Sequence, residues 1–178
     1  MFMLKCMHCN QAGNNRGVNM YNIIPMHRTA AEEISIWDFG KGYEFYNIEE
    51  DPYVIETFLN GHYYIVYKND EIFGFFCDGE SARINETYPE DDDILDVGFA
   101  LNPHWIGQKM GEQLLNIMFQ YYHALYDVHI FRVTVASFNV RGIKLYERMG
   151  FYEVNTFYET IDNENIKFIV MCYNQSQD

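Results

Sequence analysis

A strand–helix–strand succession near the middle of the chain constrains the fold most. The apolar run ILDVGFAL, residues 94–101, predicts a strand, and the run VHIFRVTVAS, residues 128–137, predicts a second one that suits a central position in a sheet. Between them, a stripe of residues recurs at spacings of three and four and predicts a core-facing helix: Gly111, Leu114, Leu115, Met118, Tyr122 and Leu125. This succession predicts a sheet with helices packed on it.

The segments before this unit predict a strand, two helices and a hairpin. Residues 20–26 have strand composition, and the helix that follows has Thr29 as a possible N-cap with Glu32 at the spacing of a capping box. A second helix opens with Asp51 and Pro52 and ends at Gly61. Residues 62–79 then predict a hairpin around a Lys-Asn-Asp turn.

The segments after the central unit predict one more helix and two closing strands. The helix NVRGIKLYERMGF has Asn139 as its N-cap and Gly150 just past its end. With the two closing strands after Gly150, the order of elements predicts an α/β (α+β) domain over residues 20–178, with a largely antiparallel sheet. Residues 1–19 are polar and without periodicity, and we expect them to form a tail.

The charge of the chain limits its partners. Its 26 acidic and 12 basic residues give a net charge of −14, which disfavours nucleic acid and anionic membranes and suits an amine-bearing partner. The sequence contains no run of 18 apolar residues, the length that a membrane span needs. The first residues also lack a signal-peptide pattern, so we expect a cytoplasmic protein.

Metal-binding patterns are incomplete. Cys6 and Cys9 form a C-x-x-C pair, but Cys77 and Cys172 stand singly in predicted strands, so we expect thiols, with a metal bridge between copies of the tail as the alternative. The acidic run at 91–93 is expected to be a solvated turn. The histidines, among them His104, His123 and His129, are not at metal-ligand spacing, and no metal is expected.

The stretch NPHWIGQKMGEQLL, residues 102–115, has the outline of an anion-binding loop. A helix that starts near Gly107 would offer unpaired N–H groups to a diphosphate. Gly111, one turn further on, costs about 1 kcal/mol relative to alanine in a helix, which indicates a close approach by a ligand or by a packed strand. The patterns of P-loops and of dinucleotide-binding loops are both missing from the sequence.

Two blocks together resemble the GNAT superfamily of acyl-CoA-dependent N-acyltransferases. They are DVGFALNPHWIGQKMGEQLL and VTVASFNVRGIKLYERMGF, and the resemblance extends over roughly residues 20–173. The chain departs from the family at Ile106, where Arg or Gln is frequent, and at Lys109, which is usually Gly. The resemblance implies a mixed, mostly antiparallel sheet with helices on both faces and a splayed pair of central strands.

The resemblance also implies where acetyl-CoA would bind. The donor would lie between the two central strands, its pantetheine arm would pair with the backbone of Phe99 and Leu101, and its diphosphate would bind the amides of residues 107–111. The full implied set is Phe99, Ala100, Leu101, Ile106, Gly107, Gln108, Lys109, Met110, Gly111, Glu112, Asn139 and Tyr146.

The implied chemistry is direct attack of a primary amine on the thioester in a ternary complex. Tyr146 occupies the family position of the acid that protonates the leaving thiolate, with an ordinary core tyrosine as the alternative. Asp96 is the candidate base, with a solvated or hydrogen-bonded structural aspartate as the alternative. Thr134 stands where family members that acetylate protein N-termini often have Glu, which favours a small-molecule amine over a protein amine acceptor. The alternatives are a non-catalytic acyl-CoA-binding module and a protein N-terminal acetyltransferase, as a monomer or a homodimer.

Overall fold

The computed structural model describes residues 20–48, 51–85 and 90–175. The polar tail, with Cys6 and Cys9, lies outside these residues. The described residues form seven strands: β1 (Tyr21–Pro25), β2 (Tyr63–Lys68), β3 (Glu71–Asp78), β4 (Ile94–Leu101), β5 (Ile130–Ala136), β6 (Tyr152–Ile161) and β7 (Glu164–Asn174). They also form four α-helices: α1 (Arg28–Ser35), α2 (Pro52–Phe58), α3 (Gly111–Tyr126) and α4 (Val140–Arg148).

The strands form one mixed sheet in the order β1-β2-β3-β4-β5-β7-β6. Only β4 and β5 run parallel, because α3 carries the chain from one to the other, and every other neighbouring pair is antiparallel. The element order and the largely antiparallel sheet predicted from the sequence are therefore confirmed.

The two central strands pair over only a short distance. Their parallel pairing runs from Ile94↔Ile130 to Asp96↔Arg132 and stops there. Beyond that point β4 remains paired with β3 as far as Leu101, and β5 remains paired with β7 as far as Ala136. The strands therefore part in the middle of the sheet, which confirms the predicted splay.

Both faces of the sheet are covered. One apolar cluster joins α3 and α4 to the sheet through residues such as Leu114, Met118 and Phe131. A second cluster joins α1 and α2 to the other face, and Ile65 belongs to it while its neighbour Val66 belongs to the first. This alternation is what a strand buried on both sides requires. No helix among the described residues is long and apolar enough to cross a bilayer.

The helix starts agree with the sequence at α2 and α4 but not at α1 and α3. Asp51 caps α2, since its side chain accepts a hydrogen bond from Tyr53 N at 2.6 Å. In α1 the predicted cap Thr29 is wrong: the helix begins at Arg28, and His27 is the N-cap, whose Nδ1 accepts from Ala30 N at 3.4 Å.

The β2–β3 turn follows its sequence signal, and the β6–β7 turn has the same geometry. Asn69 and Asp70 have φ of 51° and 67°, and the β6–β7 turn has φ of 51° and 64° at Asp162 and Asn163. Two successive left-handed residues suit the twist of a two-residue hairpin, and asparagine and aspartate tolerate that conformation best after glycine.

Helix α3 begins later than its sequence predicts. The chain has φ of +81° at Gly107 and 60° at Lys109, so a helix cannot run through these residues, and α3 starts at Gly111. Its stripe is otherwise confirmed, with Phe119 as a further buried member, but Leu125 is 48% exposed in the last turn.

Candidate active site

A cavity of about 700 Å³ lies where β4 and β5 part. We call this cavity the cleft. Its walls come from β4, from the loop before α3, from α4, and from the segment between α1 and α2. Most of the predicted donor-binding residues line it: Phe99, Ala100, Leu101, Ile106, Gly107, Lys109, Met110, Gly111, Asn139 and Tyr146.

The edge of β4 that faces the cleft carries backbone groups without a strand partner. Asn102 N donates to Phe73 O on β3 at 2.9 Å, so the N–H and C=O groups two residues earlier, at Ala100, also face β3. By the same alternation, the backbone groups of Phe99 and Leu101 face the open side. Beyond Asp96, β5 no longer pairs with this side. An extended arm with amide groups could therefore add to β4 as a short strand.

The loop before α3 presents a row of backbone amides. Leu114 N donates to Met110 O at 3.1 Å, whereas the amides of residues 109–113 have no acceptor among the described residues. The left-handed conformations of Gly107 and Lys109 turn the chain sharply before the helix. Unpaired amides at the positive end of a 16-residue helix form a site for an anion.

Four cationic side chains line the same cleft: Lys109, Arg141, Lys144 and Arg148. In contrast, none of the described lining residues is Asp or Glu, although acidic residues outnumber basic ones by 26 to 12 in the whole chain. Arg141, Lys144 and Arg148 follow one another on α4 at spacings of three and four, which places them on one helix face. No role was predicted for these three residues, although their helical spacing can be seen in the sequence.

Gly111 packs against a neighbouring helix. A Cβ atom at this position would lie 2.7 Å from Leu145 Cδ2 on α4. The close approach inferred from the sequence is therefore real, but the described partner is a side chain of α4, neither a ligand nor a strand.

Tyr146 is buried in the wall of the cleft. It is 8% exposed, and its ring lies edge-on to Phe99, with ring centroids 5.8 Å apart. Its hydroxyl has no hydrogen-bond partner among the described residues. Burial, and to a lesser extent the neighbouring Tyr46 and Cys77, raise the pKa of Tyr146, so its phenol stays protonated at neutral pH.

Asn139 performs the capping role that its sequence position predicts. Its Oδ1 accepts from Gly142 N at 2.9 Å and so satisfies an amide of the first turn of α4. Its side chain also lines the cleft. Tyr46 lies close by: burial raises the pKa of its phenol, and its hydroxyl makes no well-formed hydrogen bond within the described chain.

The structure contradicts the sequence-based choice of Asp96 as a base. Asp96 lies at the end of β4 where the two strands are still paired, and it does not line the cleft. Its carboxylate accepts from Arg132 Nε at 2.7 Å and from Arg132 Nη2 at 2.8 Å, with both side chains 7% exposed. A carboxylate held in a buried two-point ion pair has neither access to the cleft nor a spare oxygen for an incoming proton.

Two further predicted residues lie outside the lining. Gln108 turns back, and its Nε2 donates to His104 O at 2.7 Å. Glu112 accepts from Arg148 Nε at 2.9 Å. The side chains of Gln108 and Glu112 therefore make protein contacts, although the amide of Glu112 belongs to the row described above.

The other end of the cleft is aromatic. Its lining residues there are Phe39, Tyr43, Tyr46, Ile48, Phe58, Tyr63 and Phe75. Arg141 joins this end to α4, because its guanidinium lies 3.4 Å from the ring centroid of Tyr43 and its Nη2 donates to Phe39 O at 3.4 Å. Aromatic rings can bind an alkylammonium group through cation–π contacts, and phenol oxygens can accept hydrogen bonds from it.

Two histidines lie closer together than their spacing in the sequence indicated. His104 lies on the turn before the loop, but His123 and His129 lie outside the cleft, where their ring centroids are 4.5 Å apart with Asp127 beside them. The sequence could not reveal this, since the contact depends on the left-handed conformation of Asp127.

Comparison with known proteins gives concordant results. Residues 28–151 match the model of the acetyltransferase (GNAT) family. A probable spermine N(1)-acetyltransferase of Bacillus subtilis subsp. natto is 26% identical over 107 residues, which cover 58% of this chain and 70% of that protein.

Solved structures agree in fold at low sequence identity. A GNAT-family acetyltransferase from Bacillus anthracis superposes with a TM-score of 0.69 at 11% identity, over 88% of this chain and 96% of that one. The spermidine N-acetyltransferase of Vibrio cholerae in complex with CoA and spermine superposes with a TM-score of 0.67 at 19% identity, over 88% and 96%.

Proposed function

Since this chain belongs to the acetyltransferase (GNAT) family and is an N-acetyltransferase, we propose that it transfers the acetyl group of acetyl-CoA to a primary amine of a small molecule, with a polyamine as the first acceptor to test. The observation that carries the proposal is the cleft itself. It combines an open strand edge, a row of unpaired amides and four cations, and its described lining contains no carboxylate.

Each part of the donor has a matching surface in this proposal. The pantetheine amides pair with the free edge of β4 at Phe99 and Leu101, and the diphosphate binds the amides of residues 109–113. The cations on α4 bind the remaining phosphate charge. Lys109 contributes a point charge in place of the Arg or Gln that is absent at Ile106. The amide row starts two residues later than the sequence predicted, because α3 itself starts later.

Tyr146 serves as the acid. The amine lone pair attacks the thioester carbonyl carbon, the C–S bond breaks, and the departing sulfur takes the phenol proton of Tyr146. The raised pKa of Tyr146 supports this role, because a phenol that stays protonated is available as a donor. Its position beside Phe99 on the open strand supports it as well.

The proton of the amine leaves to water in this proposal. Neither a carboxylate nor an imidazole is found among the described lining residues, and Asp96 is held by Arg132. The acceptor therefore has to arrive with a neutral amine, and the enzyme accelerates the step mainly by holding the two reactants in position.

The aromatic end of the cleft supports an alkylammonium or alkylamine acceptor. Tyr46 and Tyr63 provide ring faces and phenol oxygens there, and Arg141 already covers the ring of Tyr43. Lys109, Lys144 and Arg148 lie on the side assigned to the phosphates. A polyamine is repelled from that side and attracted to the rings, which favours one direction of entry. The named activities of the relatives from Bacillus subtilis and Vibrio cholerae point to the same class.

The test is a thiol-release assay with acetyl-CoA and a panel of amines. The panel contains spermidine, spermine, an amino sugar and a peptide with a free N-terminus, and mass spectrometry identifies the acetylated product. We expect turnover with the polyamines, and a loss of about 10²-fold or more in kcat for Tyr146→Phe. Tyr53→Phe is the matched control, because Tyr53 is 79% exposed on α2 and does not line the cleft.

Three other outcomes contradict parts of the proposal. Binding of CoA without turnover on any amine identifies a non-catalytic acyl-CoA-binding module. Turnover on the peptide alone identifies a protein N-terminal acetyltransferase. An unchanged kcat in Tyr146→Phe removes Tyr146 from the role of acid.

A further inference from the structure

Three metal-binding side chains meet at the junction of α3 and β5, outside the cleft. The ligand atoms of His123, Asp127 and His129 all lie within 4.8 Å of one another. None of these residues lines the cleft. The proposal that follows is therefore independent of the acetyl-transfer reaction.

The backbone holds this cluster together from two sides. Asp127 adopts a left-handed conformation with φ of 55°, and its N–H donates to His123 O at 2.9 Å, which ends α3 and reverses the chain. His129, two residues later, returns to the ring of His123 as a result. Gln175 N donates to His129 O at 2.9 Å and ties this turn to the segment after β7.

The ligand atoms lie at separations from which small rotations reach a metal site. His123 Nδ1 lies 3.3 Å from Val128 O, and since a carbonyl can only accept, this nitrogen carries the hydrogen and leaves Nε2 with its lone pair. His129 Nε2 lies 4.0 Å from Asp127 Oδ1. A tetrahedral ion with bonds of about 2.0–2.1 Å needs ligand atoms roughly 3.3 Å apart. Small rotations reach that separation, because the side chains of His129 and Asp127 are 46% and 94% exposed.

The electrostatic setting favours a cation. The cluster lies at the C-terminal end of α3, where the helix dipole is negative, and the chain as a whole carries a charge of −14. Two imidazoles and one carboxylate, with water in the fourth position, match the donors that Zn²⁺ accepts in three-ligand sites.

We propose that His123, Asp127 and His129 bind a divalent transition-metal ion, for which Zn²⁺ is the best fit, and that the ion ties the end of α3 to the start of β5. The bound ion links the helix that opens at the cleft to one of the two strands that form it. It stabilises the junction of these elements and takes no part in the acetyl transfer.

Isothermal titration calorimetry with Zn²⁺ tests the proposal on the full, untagged chain. Cys6→Ser and Cys9→Ser are introduced in every variant, because a pair of cysteine thiols can bind zinc and would add to the measured heat. We expect one Zn²⁺ per chain, and an affinity reduced by about tenfold or more in His123→Gln and in His129→Gln. His104→Gln is the matched control and keeps the parent affinity, because His104 is an exposed histidine on a different turn.

Thermal unfolding provides the second measurement. Without metal, His129→Gln and the parent unfold at the same temperature, which shows that the variant folds. Saturating Zn²⁺ raises the unfolding temperature of the parent and of His104→Gln but not that of His129→Gln. The proposal is overturned if Zn²⁺ gives no binding heat at 100 µM, or if His123→Gln and His129→Gln bind it as tightly as the parent.

Discussion

Replacing Asp96 by asparagine separates a structural role from a catalytic one. In the structure Asp96 accepts two hydrogen bonds from Arg132, at 2.7 and 2.8 Å, in a site where both side chains are 7% exposed. Asparagine has nearly the same shape but keeps only one of the two acceptor atoms and no charge, so Arg132 remains buried with half of its partner. Removal of one member of a buried ion pair costs about 3–5 kcal/mol, and the remaining amide oxygen places this variant near the lower end, about 3 kcal/mol. For a chain of this size, that corresponds to a fall in unfolding temperature of roughly 6–12 °C.

The assay compares stability with turnover in the same samples. Calorimetry gives the unfolding temperature, and the thiol-release assay at 15 °C, where Asp96→Asn is still folded, gives kcat per folded molecule. We expect a lower unfolding temperature with kcat within about threefold of the parent, because Asp96 does not line the cleft. Asp92→Asn is the control: it removes an exposed carboxylate nearby and should change neither quantity.

A double variant sharpens the result. In Asp96→Asn combined with Arg132→Met, the guanidinium that made both hydrogen bonds to Asp96 is also gone. Arg83, whose Nε lies 3.9 Å from Asp96 Oδ2, remains, and the combined loss should still be smaller than the sum of the single losses. The reasoning fails if Asp96→Asn keeps its unfolding temperature and loses about 10²-fold or more in kcat, since that pattern belongs to a base.

Three further predictions concern the cleft. Burial raises the pKa of Tyr146, so its phenol should remain a proton donor in alkaline solution. In a pH–rate profile, kcat/KM for an amine should therefore rise as the amine deprotonates and show no decline up to about pH 10. A fall that begins near pH 8 would exclude Tyr146 as the acid. In steady-state kinetics, Lys144→Gln should raise the KM for acetyl-CoA about threefold to tenfold with kcat unchanged. Lys167→Gln on β7 is the control and should leave the KM unchanged, because Lys167 does not line the cleft. Equal KM values for the two variants would argue against phosphate binding by α4. Asn139→Ala should lose about 1 kcal/mol of stability in chemical denaturation through the lost cap of α4, and Asn139→Ser should recover most of it; equal losses in both would mean that the hydrogen bond to Gly142 N does not stabilise the helix.

Most of the fold could be predicted from local signals in the sequence. The cap at Asn139, the turn at Asn69–Asp70 and the alternation of strand and helix segments each depend on neighbours in the chain, and each is confirmed. The start of α3 was misplaced because nothing in the sequence reveals that Lys109, a residue with a Cβ, adopts a left-handed conformation there.

Features that depend on strand register could not be predicted from the sequence. The pairing of Asp96 with Arg132 joins residues 36 positions apart, and it follows from the parallel register of β4 and β5, which no local pattern encodes. The cluster of His123 and His129 likewise requires the reversal at Asp127. In contrast, the basic face of Arg141, Lys144 and Arg148 could be predicted from its helical spacing alone.

The open edge of β4 has a consequence for how the enzyme would recover between turnovers. In the proposed complex, the donor is bound through its pantetheine arm and its phosphates, by the strand edge, the amide row and the basic face of α4. These parts of the donor are the same before and after the acetyl group leaves. Spent CoA would therefore be held almost as firmly as a fresh donor, and its escape would govern the pace of repeated cycles. As CoA accumulates, it would compete with acetyl-CoA for the same binding site. The ratio of acetyl-CoA to CoA would therefore regulate the rate of acetylation without any separate regulatory site.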